Sequence, residues 1–253
     1  LGTVASGEEP TDPGGGPLLS AEPSVELYAE QPMVADVVFT LASAADVRVE
    51  LAGDPGVVSE QAVGRAAGEV RLRLRGLGPE KSYAGELVAS HAGAEEPHPF
   101  EIQTHPPLPG FLQSFEVTGS GSTEYRLFDH STTPAITDSG MFAVDASGTT
   151  RFYLPSPGEQ TLTAAHLKPP AAVRLLDDGT LMYVQNTRLL VVDELGKTVL
   201  DLDPTSVGVA AFHHDALRLP NQNYLILGHE FGDFPDPQNP GQTLHIVGDN
   251  IVE

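Results

Sequence analysis

Apolar and polar residues alternate along much of the chain at the two-residue period of β-strands. In the first half this alternation covers six short segments that are separated by Pro, Gly or Asp. The segments are residues 24–29, 34–40, 45–52, 69–74, 83–90 and 100–104. Because successive side chains of a strand point to opposite faces, each segment presents one apolar face for burial. The pattern predicts a small antiparallel β-sandwich over residues 20–105.

The second half of the chain contains two internal repeats. A shift of 43 residues places VRLLDDGTLMYV, residues 173–184, over ALRLPNQNYLIL, residues 216–227. A shift of 48 residues places residues 141–155 over residues 189–203. Each repeated segment reads as strand, turn, strand, and the spacing is close to that of propeller blades. The repeats therefore predict a β-propeller over residues 106–253.

The number of blades in this half is small. A first blade would have outer strands at residues 141–154 and inner strands near residues 111–117 and 125–128. A second blade would cover residues 171–202, and a third would open at His213, carry a long insertion, and stop in mid-blade. Propellers close with roughly four to eight blades. About two and a half blades cannot close a ring, so we expect a fragment, or a cleaved chain whose propeller a second chain completes.

Two further segments bound the domains. The stretch GLGPEKSY, residues 76–83, resembles the fibronectin type III loop that builds a tyrosine corner, which gives Leu77, Pro79 and Tyr83 structural roles. The whole is therefore predicted to be all-β, a fibronectin type III-like β-sandwich followed by an incomplete β-propeller. Residues 1–19, rich in Gly, Pro and acid, are predicted to be a flexible tether.

Charge and composition exclude some partners. The chain has 35 acidic and 13 basic residues and a formal charge of −22, which argues against binding to nucleic acid or anionic membranes. It has no cysteine, so it has neither disulfides nor thiolate metal ligands. No run of eighteen apolar residues is present, so no transmembrane segment is expected. The flexible start, which opens with Leu1, is typical of exported proteins and predicts a periplasmic, outer-surface lipoprotein or secreted location.

The strongest chemical candidate is the triplet His213, His214 and Asp215. The 43-residue shift places these three residues over residues 170–172, which read PAA, so the hairpin does not need them. The first strand of a blade lines the central channel of a propeller, where side chains from several blades meet a ligand. The alternative is that these histidines lie at a blade edge or in a structural hydrogen-bond network, as in WD repeats. The absence of Trp disfavours the WD version.

The segment at residues 229–240, HEFGDFPDPQNP, is a weaker candidate. It reads as an acidic loop with Glu230, Asp233 and Asp236, which could bind calcium or cover the channel. Acidic loops are more often merely solvated. We therefore predict no cofactor and no metal, and keep these three carboxylates as weak metal candidates.

The stretch HHDALRLPNQNYLIL, residues 213–227, resembles the bacterial arylsulfate sulfotransferases, in which HHD is followed by LPNGN and an apolar strand. In that family a β-sandwich precedes a six-bladed propeller, and the order of domains agrees. Gln222 stands where the family usually has Gly. The resemblance implies transfer of a sulfuryl group between phenols, without a nucleotide donor, through a sulfohistidine formed in the channel.

The resemblance also implies roles for particular residues. In the family the nucleophilic histidine and an arginine lie on later blades, so His214 first, and His213 second, receive supporting roles in binding sulfuryl oxygens or phenol. Asp215 would orient an imidazole. The partners would be aryl sulfates and phenols, and this chain alone is expected to be inactive.

A different class of function also fits. The chain would then be a non-catalytic extracellular binding or assembly module that has kept the HHD segment. The enzyme interpretation predicts that the natural chain continues and that the continuation contains a channel histidine and an arginine. The binding-module interpretation predicts that the natural chain ends here and that a partner covers the edge of the last blade.

Overall fold

The computed structural model describes residues 16–118, 125–130, 140–155, 171–185 and 187–253. These residues form eighteen β-strands in five antiparallel sheets, together with one short 3-10 turn at Pro204–Val207. The prediction of an all-β fold is confirmed. Within the described ranges, no helix has the length and apolar character needed to cross a membrane.

The first eight strands form two facing four-stranded sheets. They are β1 (Ser24–Leu27), β2 (Val34–Leu41), β3 (Ala45–Leu51), β4 (Val58–Ser59), β5 (Gln61–Arg65), β6 (Gly68–Arg75), β7 (Ser82–His91) and β8 (Ala94–Gln103). The sheet orders are β1-β2-β6-β4 and β5-β3-β7-β8. Each of the six predicted segments falls on a strand. The short strands β4 and β5 were missed, because two to five residues give too little alternation to recognise.

The two sheets bury one continuous apolar core between them. Its side chains come from alternate positions of the strands, for example Val70, Leu72 and Leu74 on β6. At the corner before β7, Leu77 is fully buried, and the Gly78 amide donates a hydrogen bond to the Tyr83 hydroxyl at 2.6 Å. This is the kind of contact that a tyrosine corner makes.

The remaining ten strands form three blade-like sheets. They are β9 (Arg126–His130), β10 (Gly140–Val144), β11 (Thr150–Pro155), β12 (Ala171–Leu175), β13 (Leu181–Gln185), β14 (Arg188–Val192), β15 (Thr198–Leu202), β16 (Ala211–Arg218), β17 (Tyr224–Pro235) and β18 (Thr243–Val252). The middle sheet has the order β12-β13-β14-β15, and the third has the order β16-β17-β18. Consecutive antiparallel strands in one small sheet are the arrangement of a propeller blade.

Both sequence repeats correspond to repeated turns. After β12, the Gly179 amide donates to the Leu176 carbonyl at 2.9 Å, and 43 residues later the Gln222 amide donates to the Leu219 carbonyl at 2.9 Å. Gly179 and Gln222 both adopt left-handed backbone, with φ of 82° and 72°. Gln222 therefore keeps the turn geometry of the glycine it replaces, at some conformational cost.

Two of the expected elements differ from the structure. Residues 111–117 do not form an inner strand. They pair with the first blade through an isolated bridge between Ser114 and Thr149 and pack Phe115 against its aromatic cluster. The expected insertion after residue 228 is a β-ribbon, because β17 and β18 stay paired as far as Pro235 and Thr243. Local alternation is weak over HEFGDFP, and pairing with the facing strand completes the ribbon.

The sandwich contacts the blades through both charged and apolar groups. Arg73 and Arg75, on the outer face of β6, bind Glu194 in the turn between β14 and β15. The Gln31 side-chain amide donates to the Tyr153 carbonyl at 3.0 Å, beside a cluster of buried aromatic residues. The sandwich is therefore fixed against the first two blades.

Candidate functional site

The HHD triplet lies inside β16, where its pairing with β17 is interrupted. Phe212 pairs with Gly228 and Ala216 pairs with Ile226, so the three residues of the triplet oppose the single residue Leu227. His214 has a φ of 59°, which is left-handed backbone that a residue with a side chain seldom adopts. The triplet thus forms a β-bulge, a feature that redirects side chains and is frequent beside active sites.

The second blade has a related bulge without the histidines. Ala171 pairs with Val184 and Arg174 with Met182, so two residues of β12 oppose Tyr183. Ala172, within this bulge, has a φ of 56°. A bulge at the start of the blade is therefore part of the scaffold. The bulge of the third blade contains one more residue than that of the second, and its residues carry ionisable side chains.

His213 is held tightly within the bulge. Its side chain is 12% exposed and its ring stacks on that of His229, with ring centroids 3.7 Å apart. The ring of His214 meets it edge-on at 4.9 Å. Burial, followed by the proximity of His229, lowers the pKa of His213, although Asp249 opposes the shift. His213 is therefore favoured in its neutral, potentially nucleophilic or metal-binding form.

The neighbours of His213 come from the ribbon. His229 on β17 pairs directly with Asp249 on β18, and the Asp249 carboxylate lies 3.3 Å from His213 Nε2 and 3.7 Å from His229 Nε2. Among the residues that the structure describes, this is the only group of three side chains close enough to share a metal ion. Three adjacent strands thus place two imidazoles and a carboxylate side by side.

Sequence reasoning missed His229 and Asp249 because it treated residues 229–240 as a loop. A signal was present. A short stretch dense in Pro, Asn and Gly, residues 236–241, separates HEFGDF from TLHIV, and the second of these alternates at strand period. A hairpin over that turn would have brought residue 229 close to residues 248 and 249, without fixing which of them it pairs with.

Asp215 and His214 occupy different surroundings. Asp215 accepts a hydrogen bond from Arg174 of the second blade at 2.9 Å, and this bond lowers the pKa of its carboxyl. The guanidinium of Arg174 also donates to the Ala216 carbonyl. The contacts of Asp215 within the described residues link two blades, and no imidazole is among them. His214 is exposed and accessible to a ligand.

The three weak metal candidates are not gathered into one site. Glu230 accepts from the Asn250 amide at 2.7 Å, while Asp233 contacts His245 at 2.6 Å. Asp236 caps the ribbon turn by accepting from the Gln238 amide at 2.8 Å. Since residues 230 and 233 differ by an odd number, their side chains lie on opposite faces of the ribbon.

A cavity lies elsewhere, away from the histidines of the third blade. It measures about 540 Å³ and opens between the sandwich and the first two blades, where Arg75, Arg151 and Phe152 contribute to its walls. None of the histidines of the third blade lines it. Its arginines are engaged in ion pairs between the two regions, so this space is a groove at their junction.

Fold and site together define an all-β protein in which antiparallel blades follow a sandwich and one blade carries a histidine-rich bulge. The family described as Arylsulfotransferase (ASST) matches residues 115–253, more than half of the chain. The protein belongs to this family, which confirms the resemblance seen in its HHD segment. A comparison with curated proteins found no match.

Proposed function

We propose that this protein takes part in transferring a sulfuryl group from an aryl sulfate to a phenol. The observation that carries the proposal is the bulge of β16, which combines the neutral-favoured His213 with the exposed His214 in a member of the arylsulfotransferase family. An exported location belongs to the same proposal, because the family is generally exported.

The chemistry proceeds in two displacements on one histidine nitrogen. In the first, the N–S bond forms, the S–O bond of the donor breaks and the donor leaves as a phenolate. In the second, the acceptor phenol attacks the same sulfur, its proton passes to a base, and the N–S bond breaks. This double displacement requires a neutral imidazole and donors that stabilise the sulfuryl oxygens.

His214 and His213 receive the supporting role in this scheme. A neutral imidazole carries one N–H group, which can donate to a sulfuryl oxygen as negative charge shifts in the transition state. His214 is accessible, and its left-handed backbone fixes the direction of its side chain. The proposal assigns the nucleophile to no residue of the described part of the chain.

The domain organisation is inferred with the function. Residues 20–105 would be a fibronectin type III-like domain and residues 106–253 propeller blades. The two sheet orders of the sandwich and the hydrogen bond from Gly78 to Tyr83 support the first assignment.

The test is turnover of a chromogenic aryl sulfate with a phenol acceptor, using the natively purified protein. Intact-mass analysis under denaturing conditions first identifies every polypeptide in that material. His214→Ala should lower kcat/KM at least about 100-fold, the usual loss of one transition-state hydrogen-bond donor. The matched control is His245→Ala, which replaces a histidine of the same blade that lies outside the bulge, on the ribbon, and which should leave turnover unchanged.

Two results would count against this function. One is an absence of turnover in purified material in which the mass analysis shows a longer or second polypeptide that completes the blades. The other is equal activity of His214→Ala and the unmodified protein. Acid-labile sulfuryl label on a histidine, released on addition of phenol, would support the covalent intermediate.

A binding or assembly module is the second candidate, and one observation favours it. The ribbon exposes apolar side chains on both faces, with Phe231 65%, Val247 54% and Phe234 53% accessible. Exposed apolar clusters of this kind mark contact surfaces. A partner that copurifies and protects the ribbon from proteolysis, in material without turnover, would select this alternative.

A further inference from the structure

Three potential metal-binding side chains face one side of the third blade. The rings of His213 and His229 stack with centroids 3.7 Å apart, so the bulge turns His213 to the side of the sheet that His229 faces. Asp249 pairs with His229 from the other side. Neighbouring strands thus deliver His213, His229 and Asp249 to one level of the sheet.

The distances between their donor atoms are close to those of a metal-bound set. Nε2 of His213 and Nε2 of His229 lie 3.3 Å and 3.7 Å from the same oxygen of Asp249, and all three groups offer atoms within 4.8 Å of one another. Tetrahedral Zn²⁺ with bonds of about 2.0–2.1 Å holds its ligands roughly 3.4 Å apart. Small side-chain rotations would therefore be sufficient to surround an ion.

The buried ring nitrogens of His213 are incompletely partnered. Neither makes a hydrogen bond of good geometry among the described residues, although Nε2 lies 3.3 Å from the Asp249 carboxylate and the Gly228 backbone is close to the ring. The stacked rings place Nε2 of both His213 and His229 near one carboxylate oxygen. Buried polar atoms are normally paired, and an ion between the three side chains would supply a partner for both Nε2 atoms.

We propose that His213, His229 and Asp249 form a binding site for a divalent transition-metal ion of the Zn²⁺ class. Two imidazoles with one carboxylate suit Zn²⁺ and its neighbours, whereas Ca²⁺ and Mg²⁺ require mainly oxygen ligands. Three protein ligands leave at least one position for water or for an anionic oxygen. This site goes beyond the proposed sulfuryl transfer and does not rest on it.

The ribbon contains a matched control. Asp233 and His245 form a second pair of carboxylate and imidazole, 2.6 Å apart, on the same face. The paired Phe231 and Val247 separate it from the first pair, and four residues along a strand span about 13 Å. This second pair has no third ligand among the described residues. It should therefore bind a metal ion much more weakly.

The experiment is a Zn²⁺ titration of the metal-free full chain in competition with a chromogenic chelator. The unmodified chain should take up one equivalent. His229→Gln and Asp249→Asn should each weaken the affinity at least about 100-fold, since each removes a direct ligand. His245→Gln should leave the affinity unchanged. Substituting Co²⁺ should give visible absorption bands that both ligand variants lose.

Zn²⁺ should also raise the Tm of the unmodified chain and of His245→Gln, but not that of the ligand variants. If His229→Gln does not fold, Asp249→Asn decides, because the Asp249 side chain is 67% exposed and its loss should not disturb packing. The proposal is overturned if the unmodified chain takes up no equivalent. It is equally overturned if His245→Gln weakens binding as much as Asp249→Asn.

Discussion

The sandwich and the third blade each bury an ionisable side chain, but the two side chains differ in how many hydrogen-bond partners they have. In the sandwich, the fully buried Asp36 carboxylate accepts hydrogen bonds from Tyr28 at 2.6 Å, Arg73 at 2.7 and 2.8 Å, and Arg71 at 3.0 Å. In the blade, the buried nitrogens of His213 make no hydrogen bond of comparable geometry, and the nearest charged group, Asp249, lies 3.3 Å from Nε2. A polar group with all partners supplied by the fold serves stability, whereas an incompletely paired group beside two further metal-binding side chains is a candidate ligand site.

The largest effect should come from breaking the satisfied cluster. Asp36→Asn removes the charge that neutralises two guanidinium groups in a partly buried network, so we expect a loss of about 3 kcal/mol in the free energy of unfolding. Urea denaturation measures it. The control is Glu95→Gln, which alters an exposed pair with Arg48 and should have little effect. Equal losses of unfolding free energy in both variants would show that the Asp36 cluster stabilises the fold no more than an exposed ion pair does.

The contribution of Asp36 to stability should also appear as a loss of stability at low pH, without any mutation. Burial opposes ionisation of Asp36, but hydrogen bonds from Arg73, Tyr28 and Arg71 prevail and lower its pKa from 3.8 to about 2. Because the folded-state pKa is depressed, this stability is present above about pH 4 and is lost as the pH falls toward 2. The loss should be about 2 kcal/mol. Urea midpoints compared between these pH values should fall more for the unmodified chain than for Asp36→Asn.

A smaller loss of stability is expected from breaking the ion pairs that join the sandwich to the second blade. Glu194 binds Arg73 and Arg75, and these bonds keep the pKa of its carboxyl low against the effect of burial. Glu194→Gln should cost about 1 kcal/mol, because the pair is partly covered. Glu60→Gln, which affects a more exposed partner of Arg75, is the control and should cost less. A larger loss for Glu60→Gln would mean that the junction adds nothing to stability.

The smallest change, and one of opposite sign, should follow from replacing the histidine of the blade. His213→Phe retains the stacking on His229 and removes two buried nitrogens that make no hydrogen bond of good geometry, so stability should stay equal or rise by up to about 1 kcal/mol. Thermal unfolding without added metal measures it. A loss near that of Asp36→Asn would show that His213 is a structural residue.

Much of the fold could be predicted locally. The turns after Leu176 and Leu219, 43 residues apart, were recognisable because turn residues and strand alternation act within about ten positions. The first strand of the ribbon was hard to recognise, because residues 229–235 alternate poorly and are a strand only through their pairing with β18; the turn at residues 236–241 was its one local signal. The arginines of β6 read as ordinary exposed positions until the fold placed Glu194 against them.

Part of the candidate site could be predicted from the sequence and part could not. The HHD segment could be selected from the sequence because its residues are dispensable for the hairpin that carries them. Its neighbours His229 and Asp249 could not, because a shift of one residue in strand pairing would turn either side chain to the other face.

The sequence by itself therefore determined most of the strands, the repeated turns, the family and the histidine triplet, all of which depend on residues close together in the chain. Only the tertiary structure decided that His213 meets Asp249, 36 positions away, and that Asp36 meets Arg73. Register between strands is set by the pairing of whole sheets, and that pairing determines which side chains become neighbours.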